Sequence, residues 1–448
     1  MSEQSTSAAM PANSFLRGSI SSVFIRTSLP IILVTMVNGM LTVADAMLLG
    51  AFVGPEALAA VTLVFPFSML LVAASTIVGS GMASILGRRL GAGAMDEARG
   101  VFASAQGLAI ALGIVAIVLF FLGGGAVVAW MAGNNQHLGD LGWQFLAISF
   151  GSAPIMFLLT VQSDALRTEG RVAFMAIAGV LLTLGNIALN ALLIGYFQFG
   201  VAGSAFGTAL AQVLALLLIV GYRMAGKAVL PMVGVRIDRS WNEMLALGLP
   251  RSLSFIGLSL GSAAVLFSLH QLALGDRETV VTAYGVVMRV MTFAFLPLMG
   301  MSLALQAIVG NTIGAGQAQR ARDTLRLALG VSVVYGVLVQ LTLTLARDGL
   351  GGLFVNDPGV AQTVAGIVPI YVAGYFAFGP VMMAASYVQA IGQVRQSAIL
   401  SLGRTYLFAI PLTLLLPLFW GETGVWIAAP VADMLMLALA ILVWRRSR

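Results

Sequence analysis

An all-helical integral membrane protein of twelve spans, built as two parallel six-helix repeats, is the fold class this sequence predicts. Three observations carry it: an apolar composition, a one-sided distribution of arginine, and a motif that recurs at half the chain length. Of 448 residues, 59% are hydrophobic and only 9% charged, with mean hydropathy +0.99, whereas a soluble domain carries about 25% charged residues. A water-soluble globule is excluded. At roughly 20 apolar residues per crossing, the chain accommodates twelve spans and short connections, with no room for a separate soluble domain.

Cutting the sequence at charged or Gly/Pro/Asn-rich breaks leaves apolar runs near residues 22–49, 57–86, 101–131, 141–162, 172–195 and 201–222. Six more follow near 244–273, 279–310, 325–346, 361–387, 397–419 and 424–444. The expected divisions are a polar tail at 1–21, an N-lobe at 22–222, a cytoplasmic linker at 223–243, a C-lobe at 244–444 and a cytoplasmic C-terminus at 445–448. The tail is low in complexity and expected to be mobile. The first run holds Pro30, Asn38 and Asp45 and is followed by no small-residue cleavage site, so it reads as a retained helix and not as a signal peptide.

The net charge of +6 comes almost entirely from arginine. Its placement points to membrane orientation and not to nucleic acid. With a cytoplasmic N-terminus, twenty of the 23 cations fall in cytoplasmic breaks, including Arg88/Arg89/Arg99, Arg167/Arg171, Arg251, Arg320/Arg322/Arg326 and Arg395/Arg404. Only Arg277 and Arg347 fall outside, and Arg289 lies within the eighth span. The positive-inside rule then sets both termini in the cytoplasm.

The halves resemble each other. ILGRRLGAGAMDEAR, Ile85 to Arg99, aligns without a gap with IVGNTIGAGQAQRAR, Ile308 to Arg322, at an offset of 223. Gly87/Gly310, Gly91/Gly314, Gly93/Gly316 and Arg99/Arg322 coincide. Because six is even, both copies enter from the same side and form parallel repeats about an axis along the membrane normal, with a cavity between the bundles. Ten of 14 prolines, Pro30 among them, fall inside expected helices and suit spans that bend.

Catalytic options are few. There is no cysteine, the two histidines, His137 and His270, cannot make a cluster, and HExxH, Walker A and GxSxG sequences are missing. The chain reads as a non-enzyme that needs no metal or organic cofactor. The informative feature is buried polarity. In the first span Thr35, Asn38, Thr42 and Asp45 follow 3, 4, 3 spacing and share one face. A charge at membrane depth costs roughly 2.5 to 3.5 kcal/mol on insertion scales, so such a residue faces a cavity and serves an ion or substrate. The fifth span carries Thr183, Asn186 and Asn190, and the sixth Ser204, Thr208 and Gln212. If these stripes converge, Asp45, Asn186, Asn190 and Thr208 make an oxygen-lined site suited to Na⁺ or to a protonatable carboxylate; interhelical hydrogen-bond glue is the plainer alternative.

Other intramembrane ionisable residues are Asp433, Arg289 and Asp164. Asp164, beside Arg167, reads as interfacial, whereas Arg289 and Asp433 could pair with each other or with backbone carbonyls. Met288, Met291, Phe293, Phe295, Met299 and Met301, with Phe376, Phe378, Met382 and Met383, offer a soft surface suited to diverse apolar ligands.

VADAMLLGAFVGPEALAA, ALRTEG, GNIALNALLI, GVAGSAFGTALAQ and VGNTIGAGQAQRAR resemble the multidrug and toxic compound extrusion (MATE) family, over essentially residues 25 to 440. The resemblance implies a V-shaped pair of six-helix lobes in a bacterial inner membrane, exporting amphipathic, often cationic compounds in exchange for H⁺ or Na⁺. It implies that Asp45 is the coupling acid, Asn186 the fifth-span amide, Thr208 the sixth-span hydroxyl and Pro30 a hinge of the first helix. Asn38 would line the same N-lobe cavity, with Thr35 and Thr42, and a monomer is expected. Asn190 stands where many DinF-like members carry a second acid. The seventh and tenth spans lack the acids of the NorM-like branch, which sets this chain nearest the DinF-like branch. The rival readings are a lipid-linked oligosaccharide flippase of the same superfamily, expected to show more cavity cations, and, more remotely, a membrane-embedded enzyme or channel.

The topology is directly testable. A reporter in the loop from Asn134 to Asp140, which holds His137, should be labelled from outside the cell. Labelling only after the membrane is opened would overturn both the orientation and the parallel-repeat argument.

Overall fold

The computed structural model describes residues 13–133, 135–272 and 276–446. Most of the expected tail, part of the His137 loop and the last two residues lie outside that range, as does the side chain of Thr42. Among the described residues every regular element is helical. The first half comprises α1 (Ile20–Phe52), α2 (Pro55–Gly91), α3 (Met95–Ala132), α4 (Gln136–Gly151), α5 (Ala153–Thr168), α6 (Val172–Asn190) and α7 (Gly200–Met224). A π-helical turn, Ala191–Tyr196, extends α6. The second half comprises α8 (Ser240–Gln271), α9 (Arg277–Gly314), α10 (Ala318–Leu345), a short α11 (Arg347–Leu350), α12 (Pro358–Tyr371), α13 (Tyr375–Ala390), α14 (Val394–Leu402), α15 (Ile410–Leu415) and α16 (Pro417–Arg446). A second π-helical stretch, Gly403–Ala409, joins α14 to α15.

Ten of these helices or joined helices are long and apolar enough to cross a bilayer alone. The α4–α5 pair, bent by 49°, and the α12–α13 pair, bent by 55°, each complete one further span, which gives the expected twelve. The α4–α5 bend has a local cause: Pro154 sits in the first turn of α5, where its ring is tolerated but cannot continue a hydrogen-bond ladder from α4. With an even number of spans both described ends lie on one membrane face, called here the terminal face.

The duplication is visible in the turns. Gly93 after α2 has φ +71° and Gly316 after α9 has φ +73°; this left-handed conformation is accessible to glycine at little cost. It lets α3 and α10 start from equivalent corners.

The halves meet about an axis between two other glycines of the same motif. A Cβ built on Gly87 would lie 3.2 Å from the Gly310 Cα. One on Gly91 would lie 2.0 Å from the Asn311 carbonyl oxygen, and one on Gly314 2.0 Å from that of Arg88. Residues 88 and 311 are themselves repeat mates, so the contact is reciprocal, as in a two-fold dimer interface. Gly81 against Met244 and Gly248 against Ile77 extend this backbone-to-backbone approach along α2 and α8, the packing that small residues permit in membranes.

Polar clasps close the same end. Ser84 donates to the Gln389 carbonyl, Arg88 donates to the Ala390 carbonyl at 3.1 Å and pairs with Glu243 at 2.7 Å, and Asn311 donates to the Thr168 carbonyl at 3.0 Å. Arg167, expected in a cytoplasmic break, is instead buried between the halves. It donates to the Leu303 carbonyl at 2.7 Å and pairs with Asp164 at 2.9 Å. The linker is clamped on as well: Glu169 bridges Arg223 at 2.7 Å and the Val229 and Leu230 amides, while Arg236 N–H donates to the Ala103 carbonyl at 3.1 Å.

Further along, Gly300 lies against Ile32 and Gly39 against Leu296, near the middle of α1 and α9. Beyond them α9 exposes Thr282, Gly285, Arg289 and Thr292, a 3, 4, 3 stripe. An exposed face carrying a guanidinium at membrane depth belongs to water and not to lipid tails.

If the glycine contact holds this face shut, Gly91→Val should destabilise the closed arrangement by about 1–3 kcal/mol through overpacking. A cysteine introduced at Ser84, fully buried here, should then become reactive to a membrane-impermeant maleimide applied from the terminal face. Equal protection in the glycine and valine backgrounds would show that the contact does not govern closure.

Candidate coupling site and ligand cavity

Three helices of the first half bring the predicted polar stripes together. α6 packs against both α1 and α7, and residues four apart on α6 share the face that lies between them. Asn190 donates from Nδ2 to Asp45 Oδ1 at 2.8 Å and to Asn186 Oδ1 at 2.9 Å. Asn186 in turn donates from Nδ2 to Thr208 Oγ1 at 2.8 Å. One turn of α6 nearer the terminal face, Thr183 donates to Asn38 Oδ1 at 2.8 Å.

Asn190 and Asn186 are buried, whereas Asp45 and Thr208 are half-buried. Asn190 Oδ1 has no hydrogen-bond partner among the described residues. It occupies the space a side chain at residue 207 would fill: a Cβ on Gly207 would lie 1.9 Å from it. The cluster thus holds one carboxylate at the end of a chain of amides and a hydroxyl, with one buried acceptor spare. Such an arrangement can bind and release a proton, or hold a small cation, at one negative charge. No group of three or more His, Asp or Glu suited to a metal occurs among the described residues.

The remaining site candidates distribute differently. Thr35 is buried and donates to the Ile32 carbonyl at 2.8 Å and, across the halves, to the Leu296 carbonyl at 3.3 Å, which stitches α1 to α9. Pro30 lies within an unbroken α1. Met288 and Met291 pack against the core of the second half, and Met288 sulfur accepts from Tyr371 at 3.7 Å. Met301 and Met383 are also core.

A cavity with room for about 110 Å³ of water-sized occupancy opens inside the second half, and Phe295, Met299, Phe378 and Met382 line it. Its polar wall includes Arg251, Ser254, Ser386, Gln389, Arg404 and Thr405.

This wall corrects two sequence expectations. Arg251 and Arg404, grouped with cytoplasmic cations, lie inside spans: Arg251 is roughly 16 Å along α8 from Ser240, and Arg404 about 15 Å from Val394, at 1.5 Å per residue. Asp433 pairs with Arg404, not with Arg289. The misreading has a physical cause. The runs near 244–273 and 397–419 already contain both residues, and only the count of cytoplasmic cations sets them in breaks. The signal that could have located Arg404 was the predicted burial of Asp433, which demanded a cationic partner.

The likenesses to known proteins agree with this architecture. The model of the MatE family matches residues 30–192 and again 250–415. The FAD transporter of Shewanella oneidensis is 26% identical over 437 residues, covering 94% of this chain and 93% of that one. The multidrug export protein MepA of Staphylococcus aureus is 23% identical, covering 96% and 94%. Among solved structures, a MATE protein in the straight conformation superposes with a TM-score of 0.90 at 22% identity, and an outward-facing multidrug resistance MATE family transporter of the MOP superfamily with 0.89 at 22%, each covering 98% of both chains. Matched in both of its halves, the chain belongs to the MatE family, the multidrug and toxic compound extrusion proteins, and is a membrane transporter and not an enzyme.

Proposed function

We propose that this protein is a secondary antiporter of a bacterial cytoplasmic membrane that exports amphipathic organic compounds in exchange for protons bound at Asp45. The observation that carries the reading is the Asp45–Asn190–Asn186–Thr208 chain, a single carboxylate at membrane depth joined to neutral partners. A proton and a cationic compound would compete for that one negative charge, and competition of this kind gives exchange. The amide orientations favour a proton over Na⁺. Asn190 turns an N–H toward Asp45, and Asn186 turns one toward Thr208, whereas a sodium ion needs converging oxygens.

Residues 22–222 and 244–444 would act as the two rocking lobes, with both termini cytoplasmic and the protein working as a monomer. The closed terminal face is then the cytoplasmic one, and the exposed α9 stripe lines an outward opening. Cargo chemistry in the family is broad: one relative is named a FAD transporter and others multidrug proteins.

The test is transport in proteoliposomes. An imposed ΔpH should drive ethidium movement through the wild-type protein, and Asp45→Asn should lower the initial rate at least tenfold while leaving yield and thermal unfolding unchanged. Asn190→Asp should be tolerated or add cation dependence. Full ΔpH-driven transport by Asp45→Asn would refute the assignment and turn attention to Asp433, and drive by ΔNa⁺ alone would replace the proton with sodium.

A further inference from the structure

The cavity of the second half carries a charge the coupling site does not use. Arg251 reaches only one acceptor, Ser302 Oγ, and both of its terminal nitrogens stand 3.4 Å away from it. That hydroxyl already accepts from Ser386 at 3.0 Å. Arg251 forms no ion pair among the described residues; the charges that influence it, Arg167 and Asp164, are paired with each other at 2.9 Å. A half-buried guanidinium with five donors and one long hydrogen bond is incompletely satisfied.

Arg404 supplies a second set of donors. Its Nε is taken by Asp433, and its guanidinium lies 4.5 Å from the centroid of the Phe378 ring. Its terminal N–H groups have no protein acceptor among the described residues. The two arginines against one carboxylate leave one positive charge on the wall, facing Phe295, Phe378 and Met299. The exposed stripe of α9 continues into the cavity. Thr292 is followed at 3 and 4 residue steps by Phe295 and Met299, and Arg289 stands exposed on the same stripe nearer the open face. A route edged by one cation leads to a pocket holding two.

We infer that this cavity binds amphipathic aromatic anions, with a phosphate or carboxylate held by Arg251 and the free donors of Arg404, and the ring system against Phe295, Phe378 and Met299. Guanidinium groups match planar or tetrahedral oxyanions through paired N–H donors, and a low-dielectric wall strengthens that preference. The inference rests on the reading of the protein as a transporter of amphipathic compounds and names a cargo class for its second half. The first half then offers one negative charge and the second one positive charge to different ligand groups.

The experiment is an equilibrium titration of purified protein with riboflavin 5′-phosphate, neutral riboflavin and cationic ethidium, read by fluorescence polarisation without any gradient. Riboflavin 5′-phosphate should bind wild-type protein at least tenfold more tightly than riboflavin. Arg251→Gln should abolish that difference, Arg251→Lys should keep part of it, and riboflavin binding should be the same in all three proteins. The wild-type comparison stands even if a variant folds poorly. Equal affinity for the phosphate and neutral flavins, or an Arg251→Gln protein that keeps the preference, overturns the inference. Because no gradient is involved, either result leaves Asp45-dependent exchange to stand or fall on its own assay.

Discussion

A carboxylate at membrane depth must be partnered, and the arrangement of the first half follows from that requirement. Asp45 sits on α1, while its donor, Asn190, sits at the end of α6, held in turn by Asn186 and through it by Thr208 on α7. One charge therefore fixes the rotation of three helices about their axes. Gly207 is part of the same constraint, because any side chain there would collide with the Asn190 amide. Asp45 lies near the end of α1 remote from the glycine-lined face and is only half-buried, which leaves the carboxylate partly accessible without opening that face.

Closure of the other end rests on backbone-to-backbone contact reinforced by a few side-chain donors. Gly87 and Gly310 nearly touch, Gly91 and Gly314 receive each other's partner carbonyls, and arginine, serine and asparagine donors then cap carbonyls at the ends of α5 and α13. A contact made of glycine and carbonyl oxygen has no interlocking side chains to extract, so it suits a surface that must part and reform. The buried Arg167 adds a further tie, from α5 to α9 through the Leu303 carbonyl.

Much of this was legible in the sequence, because hydropathy, arginine placement and the GAG repeat each report a global constraint. The twelve spans and their parallel duplication follow from the sequence pattern, and spacing sets Asp45, Asn186, Asn190 and Thr208 on three polar stripes whose convergence the structure supplies. The second-half cavity was not legible. Arg251 and Arg404 read as loop charges, since nothing local distinguishes a buried arginine from one at an interface until its partners are known. Thr35 shows a related limit: helical spacing groups it with Asn38 and Asp45, but not that its hydroxyl reaches the Leu296 carbonyl of the other half. The methionines of α9 divided the same way, Met299 into the cavity and Met288 and Met291 into the core.

The polar cluster of the first half thus holds a lone carboxylate and the cavity of the second an arginine excess. Exchange requires that the carboxylate give up its proton when a cation arrives. The most direct measurement is proton release from purified, weakly buffered protein on addition of ethidium, with no membrane gradient present. The account predicts a proton released for each ethidium bound by the wild-type protein and none by Asp45→Asn. Equal release from both proteins, or ethidium binding by the wild type with no release at any pH, would contradict it.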